Sequence, residues 1–393
     1  MPTVRPFTGL LYDIGAVGPA QAVTAPPYDA ISPVDQDRYY RASPYNVVRI
    51  VLGKKEKGDD DTVNKYTRAA SYLRTWREEG ILVPSKDPCL YPFEMEFRFG
   101  GEARRVRGVI AEVELEPWGG SIIPHERTLP GPIEDRLALL RAARANLSPV
   151  YGVVQGPAPE LSLFLDQALA IEPDREVVDD QGTHHRLWVR TDGIGLLQGA
   201  LRRQRLLIAD GHHRYTVALA FREEMRKAYG PGPWDAMMML IVDAGTEDPP
   251  VLPIHRVLVR GRVDWEPPAD RVRDMAEILA SLRDDDLTYG IVRMERGDAV
   301  HGVARLNGDP PTVCALHDQV LDRVEDAELR FVPDSVRAEQ AVLTGDGQAA
   351  YLLPPTRVQR VWDVVAGNSR LPQKSTYFWP KPRTGLVIRP FDP

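Results

Sequence analysis

The chain has 393 residues, 43% hydrophobic and 27% charged, which is ordinary for a folded protein and more chain than one hydrophobic core usually serves. Its formal net charge of −7 gives no bulk attraction to nucleic acid, and no window approaches the roughly 20 apolar residues of a membrane span. The opening residues lack an apolar core of signal-peptide length, and two isolated cysteines, Cys89 and Cys314, point to neither a zinc site nor a disulfide scaffold, so a cytoplasmic home is expected.

The 35 prolines punctuate the chain into short elements. NVVRIVL (46–52) reads as a buried strand and KKEKGDDDTVNK (54–65) as a solvated loop. Tyr66, Ala69, Ala70, Leu73 and Trp76 then follow helical spacing, stopped by Gly80. CLYPFEMEFRF (89–99), a Gly-Gly pair and EARRVRGVIAEVEL (102–115) alternate apolar and polar residues, which predicts a β-hairpin. Helices are predicted over 133–146, 160–170 and 193–204. LLIA (206–209) is a short strand turned into a helix that runs to about Tyr229. AMMMLIVDA (236–244) reads as a central strand, as does the stretch ending in PIHRVLV (253–259). Beyond residue 265 a helix (269–283) leads to a meander of YGIVRMER, AVHGVARL and TVCALH. A polar, acidic helical stretch follows, then QAAYLLPP, a helix through Val358, Val361, Trp362 and Val365, and a proline-rich tail ending in a strand. The best break, GRVDWEPPAD (261–270), divides the chain into domains 1–262 and 263–393. The fold class expected is α/β (α+β), a mixed-sheet core with a smaller α+β C-terminal domain.

The chemistry concentrates at ADGHHRYTVALAF (209–221), a strand-to-helix corner. A helix head offers unpaired N–H groups and positive potential to an anion. Gly211 lets backbone approach a ligand, Arg214 presents a planar fork, and His212 and His213 donate, accept or titrate near neutral pH. Three readings are open: a phosphate site, an N-cap by Asp210, or a metal site using Asp210 with the histidines.

ADGHHRYTVAL resembles the signature of the bacterial and archaeal family catalogued as domain of unknown function 1015. The resemblance extends to APPYDAIS (25–32), PYNVVRI (44–50), PHERTL (124–129), DRLALLRAARANLSPVYG (135–152), LPIHRVL (252–258) and LPQKSTYFWPKPRTGL (371–386). More distantly, Asp-Gly-His-x-Arg at a helix head is similar to the motif of the free serine kinases, of the ParB and sulfiredoxin superfamily. That likeness implies a ParB/sulfiredoxin-like nucleotide-binding core, with Gly211, His212, His213 and Arg214 on phosphate and Asp210 assisting catalysis or binding Mg²⁺. Asp29 is the only acidic base from the N-terminal part on offer.

The remaining polar blocks supply further candidates. PHERTLPG (124–131) offers His125, Glu126, Arg127 and Thr128 as base, metal carboxylate and phosphate clamp, against a turn with a surface ion pair. Arg256 in LPIHRVL and Lys374 and Ser375 in the tail are candidate phosphate contacts; Lys381 shares that tail. His184, His185, His301 and His317 are expected to be structural or solvated. The resulting assignment has Asp210, His213, Glu126 and Asp29 as catalytic groups, with Asp210 and Glu126 as metal ligands. Gly211, His212, His213, Arg214, His125, Arg127, Thr128, Arg256, Lys374 and Ser375 would hold ATP or ADP with Mg²⁺. The function expected is nucleotide-dependent phosphoryl transfer to a small hydroxylated metabolite, free serine being one candidate. A ParB-like nucleotide switch and a phosphatase-type hydrolase are the alternatives. Expected partners are that small molecule and a nucleotide, without nucleic acid or membrane; a homodimer is compatible with the sequence.

Overall fold

In the computed structural model, which describes residues 1–126, 130–202, 204–263, 266–309, 311–367 and 369–392, with 130–132 by backbone alone, the predicted hairpin forms. Tyr91–Phe99 and Glu102–Glu114 pair antiparallel from Tyr91 against Ile110 to Phe99 against Glu102. Gly100 and Gly101 turn the chain with φ of 60° and 87°, values that cost glycine little.

The hairpin is the centre of a nine-stranded mixed sheet. Its order is Ile122–Pro124, Leu206–Asp210, Val150–Val154, Ala236–Asp243, Glu102–Glu114, Tyr91–Phe99, His184–Leu187 and Arg175–Val178, with Val4–Arg5 also paired to Glu102–Glu114. Ala236–Asp243 runs parallel to Val150–Val154 but antiparallel to Glu102–Glu114. It is buried at all eight positions, as expected of a continuous apolar run at the centre of a sheet. The helices Pro159–Ala168 and Ile194–Leu201 and the start of His212–Tyr229 pack on Val109, Ala111, Val113, Met239 and Ile241. A second core gathers Leu10, Val47, Ile50, Leu73, Trp76 and Leu139.

Contacts divide the chain into two units. The first comprises Met1–Ile123, Thr128–Asp248 and Pro380–Pro393; the second comprises Pro124–Arg127 and Pro249–Trp379. Both mix helices with sheet, and the fold class is mixed α/β. The second unit carries a six-stranded sheet in the order Asp270–Val272, Asp298–Arg305, Thr288–Glu295, Ala349–Leu352, His255–Arg262, Glu325–Val332. His255–Arg262, on the N-terminal side of the break expected near 262, therefore lies within this second unit.

Several local expectations are corrected. NVVRIVL contains a four-residue helix, Val48–Val51, not a strand. The Asn46 carboxamide accepts from the Val48 N–H and donates to the carbonyls of Ala22 and Thr24, so the backbone turns before it can extend. TVCALH is the helix Thr312–Gln319: the Asp284 carboxylate accepts from both the Thr312 N–H and its hydroxyl and anchors a helix head where periodicity alone reads a strand. Within 269–283, Asp274 caps a shorter helix, Met275–Ser281, behind the strand Asp270–Val272. The acidic stretch after the Thr312–Gln319 helix holds the strand Glu325–Val332 as well as the helix Ser335–Leu343.

Candidate functional site

Leu206–Asp210 pairs antiparallel with Val150–Val154, and the register slips between Ile208 and Asp210, which brings Asp210 against Tyr151. Such an irregularity re-aims the side chain at a strand end. Gly211 follows with φ 97° and ψ 27°, and the 18-residue helix His212–Tyr229 begins at once. Gly211 is the N-cap and, having no side chain, makes no side-chain cap hydrogen bond. Asp210 is thus not a capping residue.

Asp210 instead faces two cations. Its Oδ1 lies 2.6 Å from Lys381 Nζ and its Oδ2 accepts from Arg214 Nη2 at 2.5 Å. Arg214 also donates through Nη1 to the Ser148 hydroxyl at 2.8 Å and the Pro149 carbonyl at 2.5 Å. The guanidinium therefore folds back over the turn, and a Cβ on Gly211 would come within 3.0 Å of its Nε and Nη2. Much of the fork expected to face phosphate is engaged by the protein itself. Burial alone would raise the pKa of Asp210, but the charges of Lys381 and Arg214, the Lys381 hydrogen bond and His212 outweigh it. The carboxyl is held well below the usual carboxylate range. His212 is buried and His213 half-buried at the helix head.

Lys381 reaches Asp210 through strand-like pairing. Ala25 and Thr384 exchange backbone hydrogen bonds in an antiparallel bridge. Beyond that bridge Tyr28–Ala30 coils into a 3₁₀ turn, and Lys381 stands three residues before Thr384. Prolines at 26, 27, 380 and 382 stiffen both segments. Asp29 consequently accepts from Lys381 Nζ at 3.1 Å. Asp29, Lys381, Asp210 and Arg214 form a row of alternating charge, and all four belong to the first unit. The Tyr28 ring stacks on the Arg136 guanidinium, 4.1 Å from its centroid.

The other candidates belong to the second unit. His125 is fully buried, and its Nε2 is 2.6 Å from the Thr376 hydroxyl. Glu126 accepts from the Lys374 N–H at 3.1 Å, and the Ser375 hydroxyl donates to the Pro372 carbonyl. Arg256 is fully buried. It donates to the Lys374 and Gln373 carbonyls and to His317 Nε2, and burial pulls its pKa down to about 10 against the opposing pull of Glu126. These contacts make a clasp between the 124–126 segment and the tail before residue 380. Arg127 and Thr128 lie outside the described residues. Among the described residues no group of three or more His, Cys, Asp and Glu is placed to hold a metal ion. His301 pairs with Glu339, His185 with Asp179 and His184 with Glu176, while His317 lies between Arg256 and Asp322.

A family model described as a protein of unknown function, DUF1015, matches residues 4–365. The chain belongs to this family. No curated protein matches the DUF1015 chain. Among solved structures it is similar to a conserved hypothetical protein from Pyrococcus furiosus, at 12% identity over 70% of this chain and 93% of that one, with a TM-score of 0.36. A free serine kinase in complex with AMP gives 12% identity, 68% and 86% coverage and a TM-score of 0.36. SbnI with a C-terminal truncation, from Staphylococcus aureus, gives 11%, 69% and 84%, and 0.37.

For this DUF1015 chain, the sequence reading put weight on Lys374 and Ser375 in the tail, whereas Lys381 is the residue brought to Asp210. The antiparallel pairing that delivers it spans most of the chain and leaves no local pattern. Arg136 and Ser148, which also border the corner, lie in the helix Pro130–Ala143 and just before the strand Val150–Val154, where a local motif gives them no distinction.

Proposed function

We propose that the protein binds a nucleotide, ATP or ADP, at the Asp210 corner and transfers a phosphoryl group to a small hydroxylated metabolite. The observation that carries this reading is the Asp29–Lys381–Asp210–Arg214 row at a helix head whose N-cap is Gly211. The backbone N–H groups of Gly211, His212 and His213 and the Lys381 ammonium suit phosphate oxygens. Asp210, kept ionised, orients Lys381 and Arg214. That same charge makes it a poor proton acceptor, so the base is assigned to the more exposed Asp29. There the acceptor hydroxyl gives up its proton as its oxygen bonds to the terminal phosphorus, and the bond from that phosphorus to the bridging oxygen breaks to release the shortened nucleotide.

Mg²⁺ fits as an ion carried by the phosphates, since it takes one or two carboxylates and keeps several waters. Asp210 would hold it, and it would neutralise phosphate charge.

A thermal-shift titration of the full chain with ATP and ADP, with and without Mg²⁺, tests binding. Nucleotide at about 100 times its dissociation constant adds roughly 2.7 kcal/mol. Transfer from labelled ATP to a panel of hydroxylated metabolites tests turnover, and Lys381→Met abolishes it. A chain that nucleotide does not stabilise is not such an enzyme.

A further inference from the structure

Adjoining the Asp210 corner, within the same unit, is a cavity of about 70 Å³. Its apolar walls come from Leu139 and Leu140 of the helix Pro130–Ala143, Val217 and Ala218 of the helix His212–Tyr229, and Leu147 and Met237. Tyr28, Arg136, Asn146, Ser148 and Arg214 supply its polar edge. Arg214 joins the cavity to the corner, because it lines the one and donates to Asp210 in the other.

The polar edge is rich in fixed donors. The Asn146 carboxamide oxygen accepts from the Met238 N–H and from Arg389, both at 3.0 Å, so Nδ2 is the group it has left to offer. The Ser148 oxygen accepts from Arg214 and keeps its own O–H to donate. Arg136 is locked by Asp135 and the Val51 carbonyl, and its flat face is covered by Tyr28. Apolar walls with donors along one edge suit a flat ring that carries lone pairs on its rim. About 70 Å³ is well below the 300–1,000 Å³ of sites that enclose a whole drug-sized ligand, so only part of a ligand enters it.

We infer that this cavity takes the nucleobase of the nucleotide whose phosphates meet the Asp210 corner, its ring acceptors facing Asn146 and Ser148. The inference rests on the nucleotide reading above, so its test separates the ring from the phosphates. Calorimetric titration of the full chain uses three probes: ADP, pyrophosphate without a ring, and adenosine without phosphate. The expected result is that ADP binds at least about thirtyfold more tightly than pyrophosphate, and that adenosine competes with ADP. Ala218→Met, which extends a flexible side chain into the cavity, then removes the ring-dependent gain and leaves pyrophosphate affinity within about twofold. Melting curves check folding, and Val217→Leu is the milder filling variant should Ala218→Met not fold. ADP and pyrophosphate binding alike, or a filled cavity that leaves the gain intact, overturns the cavity assignment while the phosphate corner stands. Adenosine binding that is lost in the filled variant, with no binding of pyrophosphate, supports the ring site and overturns the phosphate reading. Failure of all three probes overturns both.

Discussion

Asp210 and Asp29 share one lysine but not one environment. The Asp210 side chain is 14% exposed and meets Lys381 and Arg214; the Asp29 side chain is 29% exposed and meets Lys381. Asp210→Asn leaves two largely buried cations short of a counter-charge, although Arg214 keeps Ser148 and Pro149 and Lys381 keeps Asp29. Denaturant unfolding should show a loss of about 1–3 kcal/mol, and phosphoryl transfer should fall at least about a hundredfold. Asp29→Asn should cost less than about 1 kcal/mol, as more open ion pairs do, and should lower transfer by about 10²–10⁴-fold, the range for a positioned proton acceptor. Equal stability losses in the two variants would contradict the difference in burial.

At the scale of an element, the corner depends on Gly211. Its φ of 97° is one that side chains rarely adopt, and a Cβ there would press on Arg214 at 3.0 Å. Gly211→Ala should therefore cost about 1–3 kcal/mol and weaken nucleotide binding, because Arg214 must give way beside the turn; unchanged melting and unchanged affinity would refute the close approach. This corner was legible in the sequence because strand, glycine and helix head are contiguous there. The hairpin over 89–115 was legible for the same reason: alternation and a Gly-Gly turn are local signals. The helix Thr312–Gln319 was not, since its head is fixed by Asp284, 28 residues away, and the apolar pattern of TVCALH serves either element. Lys381 was illegible as a partner of Asp29 because 352 residues separate them.

At the scale of the whole molecule, buried neutral histidines tie stability to pH. His255 accepts from the Leu353 N–H through Nδ1. Burial, reinforced by Arg256, pushes its pKa down from 6.5 to about 4. The unfolded chain takes up a proton below about pH 6.5 while the folded chain resists until about pH 4. This contribution is thus complete above pH 6.5 and disappears as pH falls toward 4. Burial also lowers the values for His185 and His317, so the trend runs the same way in both units. Unfolding free energy should fall between pH 7 and 4.5 by up to about 3 kcal/mol from His255 alone, and His255→Asn should flatten that slope; a stability independent of pH over this range would contradict the buried neutral state. The residues after Trp379 bind the first unit through Lys381, through Arg383 on Thr24, and through Arg389 on Glu112 and Asn146. A chain stopped at Trp379 should lose nucleotide binding and melt the first unit at a lower temperature, with the second unit's transition retained in calorimetry.

The division of the first unit into separated stretches of chain also bears on the order in which the molecule is made. Asp29, Asp210 and Arg214 leave the ribosome before any part of 249–379, and Lys381 only after all of it. Throughout that interval the second unit has its own sheet to close, while the two carboxylates lack the cation that later bridges them. A nascent chain at that stage has its acidic residues but no complete phosphate site. Competence for the proposed chemistry is acquired late and in one step, when the returning segment pairs with residues 24–29.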